Sequence, residues 1–148
     1  MSDFKVTLML ADHAQAVGGK LYILGGGWSL TGPGPAPFAI ALDIKVPWHG
    51  INLEHRLTLE LLDADGQPVE IETTDGPQPL RLEGTFQATP APSVKPGLPI
   101  DVPLAFNIAP QPIPPGGRYE WRLSIDGESD DDWRVAFSTR PETAGAAQ

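Results

Sequence analysis

The sequence predicts an all-β domain, a two-sheet antiparallel β-sandwich of about nine strands. Short segments alternate large apolar residues with small or charged ones, as residues 38–46 do, and this period of two is typical of a strand with one buried face. Glycine and proline cluster between such segments, at residues 31–37, 75–79, 90–99 and 110–117. Because a single sheet would leave its apolar face in water, we expect two packed sheets.

The strand pattern recurs along the chain. It covers residues 4–10, 20–30, 38–46, 56–62, 67–73, 80–89, 100–108, 119–125 and 133–137. The second segment is apolar on both faces, which predicts a central strand, and residues 11–19 before it are predicted to form a loop. The fourth and fifth segments are joined by Asp63-Ala64-Asp65-Gly66, a strong hairpin signal. Pro103 lacks an amide donor and therefore indicates an edge or a bulge in its strand.

The last two strands have the clearest pattern. Trp121 and Trp133 are in phase with the apolar faces of their strands, so we expect both in one core. Residues 126–132 between these strands are interpreted as a loop. The segment 114–119 resembles the turn before a late strand of immunoglobulin-like sandwiches, where the hydroxyl of a tyrosine, here Tyr119, bonds back to the turn. We therefore expect an immunoglobulin-like or related Greek-key topology, with a closed barrel or a jelly roll as alternatives.

Length and composition indicate one domain. Of the 148 residues, 1–139 are predicted to form the sandwich and 140–148, which lack an apolar pattern, a flexible C-terminal tail. The chain has no cysteine, which excludes disulfides, thiolate zinc sites and cysteine nucleophiles. No apolar run approaches the ~20 residues of a membrane span, and the first residues lack a secretory signal. The expected location is the cytoplasm.

The charge of the chain excludes two kinds of partner. The formal net charge is −9 and the isoelectric point is near 4.6, with lysine and arginine spread singly. Binding to nucleic acid depends on a basic surface that releases counterions from phosphates, and an anionic membrane makes the same demand. We therefore expect neither nucleic acid nor a membrane as partner.

No catalytic constellation is recognisable, and we assign no catalytic residue. The histidines His13, His49 and His55 are scattered, and Ser29 does not stand in the G-x-S-x-G pattern of a nucleophile elbow. Glycines 25–27 follow a strand, but their spacing matches no dinucleotide or phosphate-loop motif and no helix is predicted after them. We interpret this run as a bulge or a close backbone approach.

Calcium is the one cofactor that the sequence leaves open. The predicted loop 126–132 supplies Asp126, Glu128, Asp130 and Asp131, and calcium binds several carboxylate oxygens. The loop lacks the spacing of an EF-hand, however, and a run of charges is more often simply solvated. Zinc is disfavoured, since the histidines form no pair with the spacing of ligands.

Two tryptophans are candidate binding residues. Trp28 and Trp48 each stand beside glycine or proline breaks, where no pattern forces them inward. An exposed tryptophan can stack on a sugar ring or anchor a protein partner. The alternative, which average tryptophan burial favours, is that each covers an open end of the sandwich.

Part of the sequence resembles a known family. Residues 10–15 (LADHAQ) and 19–28 (GKLYILGGGW) are similar to the N-terminal signature ADHAQ…GKLYILGGGW of a largely actinobacterial family of unknown function. A proline-rich crossover, an APFAIAL-like strand and an LLDADGQPV-like hairpin at residues 61–69 continue the likeness. The resemblance implies a bacterial cytoplasmic protein with a recurrent β fold, and it implies no activity or site residues.

Three classes of function follow from these observations. The first is a non-catalytic interaction or accessory module that binds another protein or a second copy of itself through a sheet edge or a loop end. The second is a sandwich that binds a small ligand or carbohydrate through Trp28 or Trp48, with calcium as an option. The third is an enzyme, which would need a pocket that gathers several histidines and carboxylates.

Overall fold

The computed structural model describes residues 3–142, and strands account for nearly all of its regular structure. These residues form twelve strands rather than nine, and the part of the chain described holds no helix with the length and hydropathy of a membrane span. The strands are β1 Lys5–Ala11, β2 His13–Val17, β3 Lys20–Leu24, β4 Leu30–Thr31, β5 Phe38–Val46, β6 His55–Asp63, β7 Glu70–Thr73, β8 Gly76–Pro79, β9 Arg81–Phe86, β10 Ile100–Ile108, β11 Arg118–Ile125 and β12 Glu128–Thr139.

The strands form two larger sheets and two separate hairpins. A three-stranded sheet has the order β1-β5-β10, and a five-stranded sheet has the order β4-β12-β11-β6-β9. All neighbours are antiparallel except β4 and β12, which are parallel. The hairpins β2-β3 and β7-β8 join neither sheet. Pro103 lies in the edge strand β10, in agreement with the sequence prediction of an edge.

One hydrophobic core lies between the two larger sheets. Strand β5 sends its large alternate side chains into this core, where Ile40, Leu42, Ile44 and Val46 have no exposed surface. Leu57, Leu59 and Leu61 of β6 meet them from the five-stranded sheet. The period of two in the sequence therefore marks the residues of each sheet that face the other sheet.

The aromatic residues of β11 and β12 are buried in this core, as predicted. Trp121 has no exposed surface and Trp133 is 3% exposed. The Tyr119 hydroxyl donates a hydrogen bond of 2.9 Å to the carbonyl oxygen of Pro114, which is the predicted bond back to the turn. The ring lies so close to Gly117 that a Cβ at that position would meet it, which explains the glycine in the turn.

The predicted loop 11–19 and the predicted central strand 20–30 are both wrong. Residues 13–17 form β2, and β3 ends at Leu24 instead of continuing to residue 30. The two strands make a hairpin that lies outside the main core, so β3 is not central. The apolar residues on both faces of β3 do not mean that both faces are buried. One face packs on the three-stranded sheet, and the other is exposed.

The predicted acidic loop 126–132 is also wrong. Only Asp126 and Gly127 form the turn, with φ of 52° and 84°, and β12 begins at Glu128. The pairing of β11 with β12 is irregular beyond this turn, because Ser124 pairs with Ser129 but Arg122 pairs with Arg134. Residues 130–133 thus form a four-residue bulge opposite Leu123, within a strand rather than a loop.

Two further segments differ from their predicted boundaries. Residues 67–69 follow the Asp63–Gly66 turn back along β6, but the chain then leaves β6 and forms the separate hairpin β7-β8. Of the predicted tail, residues 140–142 have no regular structure, and Arg140 bonds to the carbonyl oxygens of Thr31 and Gly32. Residues 143–148 lie outside the described residues.

We predict that Trp121→Ala lowers the free energy of unfolding by about 3–5 kcal/mol, because it leaves a cavity in the centre of the core. Trp121→Phe is the matched control. The buried indole nitrogen of Trp121 has no hydrogen-bond partner among the described residues, so the smaller ring loses packing alone, at a cost of about 1–2 kcal/mol. Denaturant unfolding measures both values. An alanine variant as stable as the wild type would contradict the burial.

Candidate functional site

Trp28 lies at the edge of the core and is not a free stacking platform. It is half-buried, and its ring makes edge contacts with Phe38 and Phe137, each at a centroid distance of 6.1 Å. Its indole nitrogen is buried without a hydrogen-bond partner among the described residues. These contacts agree with the alternative expectation, in which Trp28 covers an open end of the sandwich.

Trp48 lies far from Trp28. It begins the short 3-10 turn Trp48–Gly50 after β5 and is half-buried. Trp28 contacts Phe38 at the first residue of β5, whereas Trp48 follows its last residue, Val46. A strand of this length spans about 27 Å, so the two tryptophans cannot form one binding site.

The candidate calcium ligand Asp126 is already engaged in bonds within the protein. Its Oδ2 lies 2.7 Å from Nδ1 of His55, and its Oδ1 accepts a hydrogen bond of 3.0 Å from the amide of Arg56. Partial burial acts to raise the pKa of Asp126, but the Arg56 amide and the His55 ring outweigh it and hold the pKa below its ordinary value. The carboxylate therefore joins the β11-β12 turn to β6.

The other acidic candidates do not converge on a cation site. Glu128 and Asp131 are exposed on β12, and Asp130 accepts a hydrogen bond from the amide of Asp132. Within residues 3–142, no group of three or more histidine, cysteine, aspartate or glutamate residues is arranged to hold a metal ion. Asp63, in the other acidic turn, lies at the end of β6 opposite to His55.

The three histidines lie in three separate environments. His55 is buried, and its Nε2 lies 2.7 Å from the carbonyl oxygen of Gly50, so both ring nitrogens have acceptor partners. A carbonyl oxygen can only accept, so Nε2 must carry a proton. His49 pairs with Asp3 at 3.0 Å on the surface, and His13 is exposed on β2. Five clefts of the described structure, including the one beside Trp28, have no histidine in their walls.

The glycine run is a close backbone approach, as the sequence analysis expected. The amide of Gly27 donates a 2.7 Å hydrogen bond to the carbonyl oxygen of Leu10. A Cβ on Gly25 would meet the Asp12 carboxylate, and one on Gly26 would lie 2.8 Å from the sulfur of Met9. The run therefore brings the chain from β3 back alongside the end of β1. No helix follows it within the described residues, so no amide end of a helix faces a ligand there.

Three of the exposed large apolar side chains lie on the outer face of the β2-β3 hairpin. Val17, Tyr22 and Leu24 project from it and are 56%, 54% and 67% exposed. We call these three residues the hairpin surface. Three large apolar side chains displayed on one small hairpin are typical of a contact surface rather than of solvated strands.

The inner face of the same hairpin holds it against the three-stranded sheet. Ala14 and Leu21 pack on a cluster of small residues there: Ala11, Ala39, Ala41 and Ala105. The Asn107 side chain of β10 accepts a hydrogen bond from the amide of Ala14 and donates one to its carbonyl oxygen, at 3.2 Å and 2.7 Å. The hairpin surface is therefore presented by an anchored element, not by a loose loop.

The hairpin surface is not among the residues predicted from the sequence, although the sequence holds a signal for the hairpin. Gly18-Gly19 stands between two five-residue strands, and both glycines have positive φ, 60° and 76°. Paired glycines in such a position are a hairpin signal. A central strand is predicted over residues 20–30 instead, because the adjacent apolar residues of β3 suggest burial on both faces.

A second feature lies beneath Trp28. A narrow apolar cleft has Trp28, Phe38 and Phe137 in its walls, and the space in it that a water-sized molecule can occupy is about 30 Å³. Thr31 and Gln111 are polar residues of the same walls. This space holds about two water molecules, so it admits one small group of a ligand rather than a whole ligand.

These observations define the class of the protein: an all-β scaffold that carries an anchored, apolar hairpin outside its core. The chain belongs to the family of unknown function DUF6941, whose model matches residues 6–136. No curated protein matches the chain. The family membership agrees with the resemblance noted in the sequence, and the match extends well beyond the N-terminal half that carries it most strongly.

We predict that Asp126→Asn removes an acid-sensitive part of the stability. Asparagine tolerates the positive φ of this turn, so the substitution removes the charge and retains the backbone. Because the pKa of Asp126 is lowered in the folded state, the carboxylate stabilises the fold above about pH 3.8, and this contribution is lost as the pH falls through the folded-state pKa.

The measurement is the difference in unfolding free energy between wild type and Asp126→Asn from about pH 5 to about pH 2. We expect about 1 kcal/mol at the upper end, since the carboxylate is partly solvated, and a decrease toward zero at the lower end. A difference that does not change with pH would contradict the role assigned to the carboxylate.

Proposed function

We propose that this protein is a non-catalytic interaction or accessory module that binds a protein partner through the hairpin surface. The single observation that carries the proposal is the exposure of Val17, Tyr22 and Leu24 on an element that Asn107 anchors to the sheet. Exposed apolar side chains are costly to leave in water, and a partner removes that cost.

The composition of the surface supports a protein rather than a nucleic acid or lipid partner. Tyrosine is enriched in protein interfaces because a rigid ring offers a large apolar area together with one polar hydroxyl. The only basic side chain on β3 is Lys20, too little for binding to phosphates. The hairpin also has the size of an element that can extend a sheet of a partner.

The proposal includes a specific fold, an immunoglobulin-like sandwich. The strand orders β1-β5-β10 and β4-β12-β11-β6-β9 support it, and so does the parallel pairing of the short strand β4 with the last strand. The bond from Tyr119 to Pro114 at the start of β11 is a third support. A closed barrel would instead need the edges of the two sheets to pair.

A bacterial origin and a cytoplasmic location are also part of the proposal. The support is the resemblance of residues 10–28 to a largely actinobacterial signature. A chain without cysteine needs no oxidising compartment for its stability, which agrees with a cytoplasmic protein.

One observation favours a second function, the binding of a small ligand or sugar in the cleft beneath Trp28. The buried indole N–H of Trp28 lacks a hydrogen-bond partner among the described residues, and a ligand oxygen in the cleft would supply one. The same aromatic walls would contact an apolar face of the ligand.

The interaction module is tested by capture from lysate with two matched variants. We predict that the tagged wild type and Leu98→Asp recover the same protein partner, whereas Leu24→Asp does not. Leu24 and Leu98 are 67% and 58% exposed, so both substitutions add a charge at a solvent-facing leucine, but only Leu24 belongs to the hairpin surface. Quantitative mass spectrometry of the recovered proteins is the measurement.

Thermal unfolding of the three proteins verifies that each is folded before capture. A partner retained equally by wild type and Leu24→Asp would contradict the role of the hairpin surface. A wild type that recovers neither another protein nor an untagged copy of this chain in stoichiometric amount would contradict the interaction module itself.

The ligand-binding alternative predicts a fluorescence change that depends on one tryptophan. In titrations with a panel of glycans and small apolar acids, a ligand in the cleft changes the emission of wild type and Trp48→Phe, and Trp28→Phe loses most of that change. Emission that changes equally in Trp28→Phe, or in none of the proteins, would contradict this alternative.

A further inference from the structure

We propose that the β2-β3 hairpin binds a second copy of this chain, by antiparallel pairing of β3 with β3 of the copy. This inference rests on the proposed function, because it uses the same hairpin, and adds the identity of the partner and the mode of contact. It follows from three independent features: the direction of the backbone groups of β3, the protection of the edges of four other strands, and the distribution of charge.

The outer edge of β3 presents free backbone groups. Asn107 bonds both to the amide and to the carbonyl oxygen of Ala14, so these two groups point away from β3. Ala14 pairs with Ile23, and in an antiparallel pair of this kind both residues direct their backbone groups outward. The backbone groups of Ile23, and of Leu21 two residues before it, therefore point away from β2. No strand in the described structure lies against that edge.

The edge of β3 lacks the protection that the edges of β2, β8, β9 and β10 have. Proteins prevent edge pairing with proline, with charged side chains or with a covering group. Prolines protect β10 and β8, the ion pair of Arg81 with Glu83 lies on β9, and Asn107 covers the edge of β2. Strand β3 has the sequence KLYIL, with no proline and a charge only at its first residue.

The sequence of β3 is compatible with pairing to itself. Antiparallel pairing centred on Tyr22 brings Leu21 opposite Ile23 of the copy, and the same pair recurs across the two-fold axis. These are the residues whose backbone groups point outward, so each pair can exchange two hydrogen bonds. Lys20 lies opposite Leu24 of the copy, which avoids contact between like charges. Tyr22 then lies beside Tyr22 of the copy at the two-fold axis, and the outer faces of the two hairpins, which also carry His13, Gln15 and Lys20, lie side by side.

The charge distribution makes this region suitable for contact between two acidic molecules. The chain has a formal net charge of −9, so two copies repel each other over most of their surface. All aspartate and glutamate residues lie outside residues 13–42, and Lys20 is the only lysine or arginine within that range. No carboxylate lies on the hairpin itself, although Asp12 lies beside Gly25 at the end of β3, so the repulsion between copies is reduced along the hairpin.

Charge reversal at Tyr22 tests the pairing. Tyr22→Lys and Tyr22→Glu each place like charges next to each other across the two-fold axis, whereas a mixture of the two variants places opposite charges there. The measurement is the molar mass of the purified proteins by light scattering and by sedimentation, at concentrations up to about 100 µM, since a small interface gives micromolar affinity.

We expect a dimer of the wild type, dissociation constants raised at least about tenfold for each single variant, and a restored dimer in the equimolar mixture. Tyr22 is 54% exposed, so neither substitution disturbs a buried contact, and circular dichroism verifies the fold. A monomeric wild type, a dimer that both substitutions leave unchanged, or a mixture that stays monomeric would each overturn the inference.

The outcomes separate this inference from the proposed function. A monomeric wild type that still captures another protein through Leu24 refutes self-pairing and retains the interaction module, with a strand of that other protein as the occupant of the β3 edge. A dimer that the mixture restores, but without any further protein recovered, supports self-pairing as the contact that the hairpin makes.

Discussion

The burial of β5 on both faces is the constraint on which the rest of the structure depends. Its large alternate residues, Ile40 and Leu42 among them, fill the core between the two larger sheets. The residues between them, Ala39 and Ala41, are buried on the opposite face beneath the β2-β3 hairpin. Small side chains on that face let the backbone of the hairpin come close, so one strand determines both the sandwich-like core and the position of the hairpin.

This arrangement explains why the hairpin has one satisfied and one exposed face. The contacts of Ala14 and Leu21 with the alanine cluster, and the two bonds from Asn107, hold the hairpin in place. The opposite face then has no further part of the described chain to cover it, so Tyr22 and Leu24 remain exposed. Stability and the proposed contact therefore use different faces of the same two strands.

The polar residues that the sequence suggested for chemistry have structural partners instead. His55 joins Gly50 to Asp126, and the carboxylate of Asp126 in turn receives the amide of Arg56. Buried polar groups are stable only when their bonds are satisfied, and this network satisfies the His55 ring within the protein. A sequence pattern cannot distinguish such a network from a site, since both place acids and histidines near turns.

The sequence by itself determined the all-β class and which alternate residues of β5, β10 and β11 face the core. It also determined the burial of Trp121 and the bond of Tyr119 to its turn. These features depend on local alternation and local turn chemistry. Only the tertiary structure decided the twelve strands, the two-residue turn at Asp126 and the exposure of the hairpin surface. The physical reason is that an apolar segment such as β3 is buried or exposed according to residues far along the chain. Here Asn107 holds β2 and the alanines of β5 cover one face of the hairpin, which leaves the other face of β3 exposed.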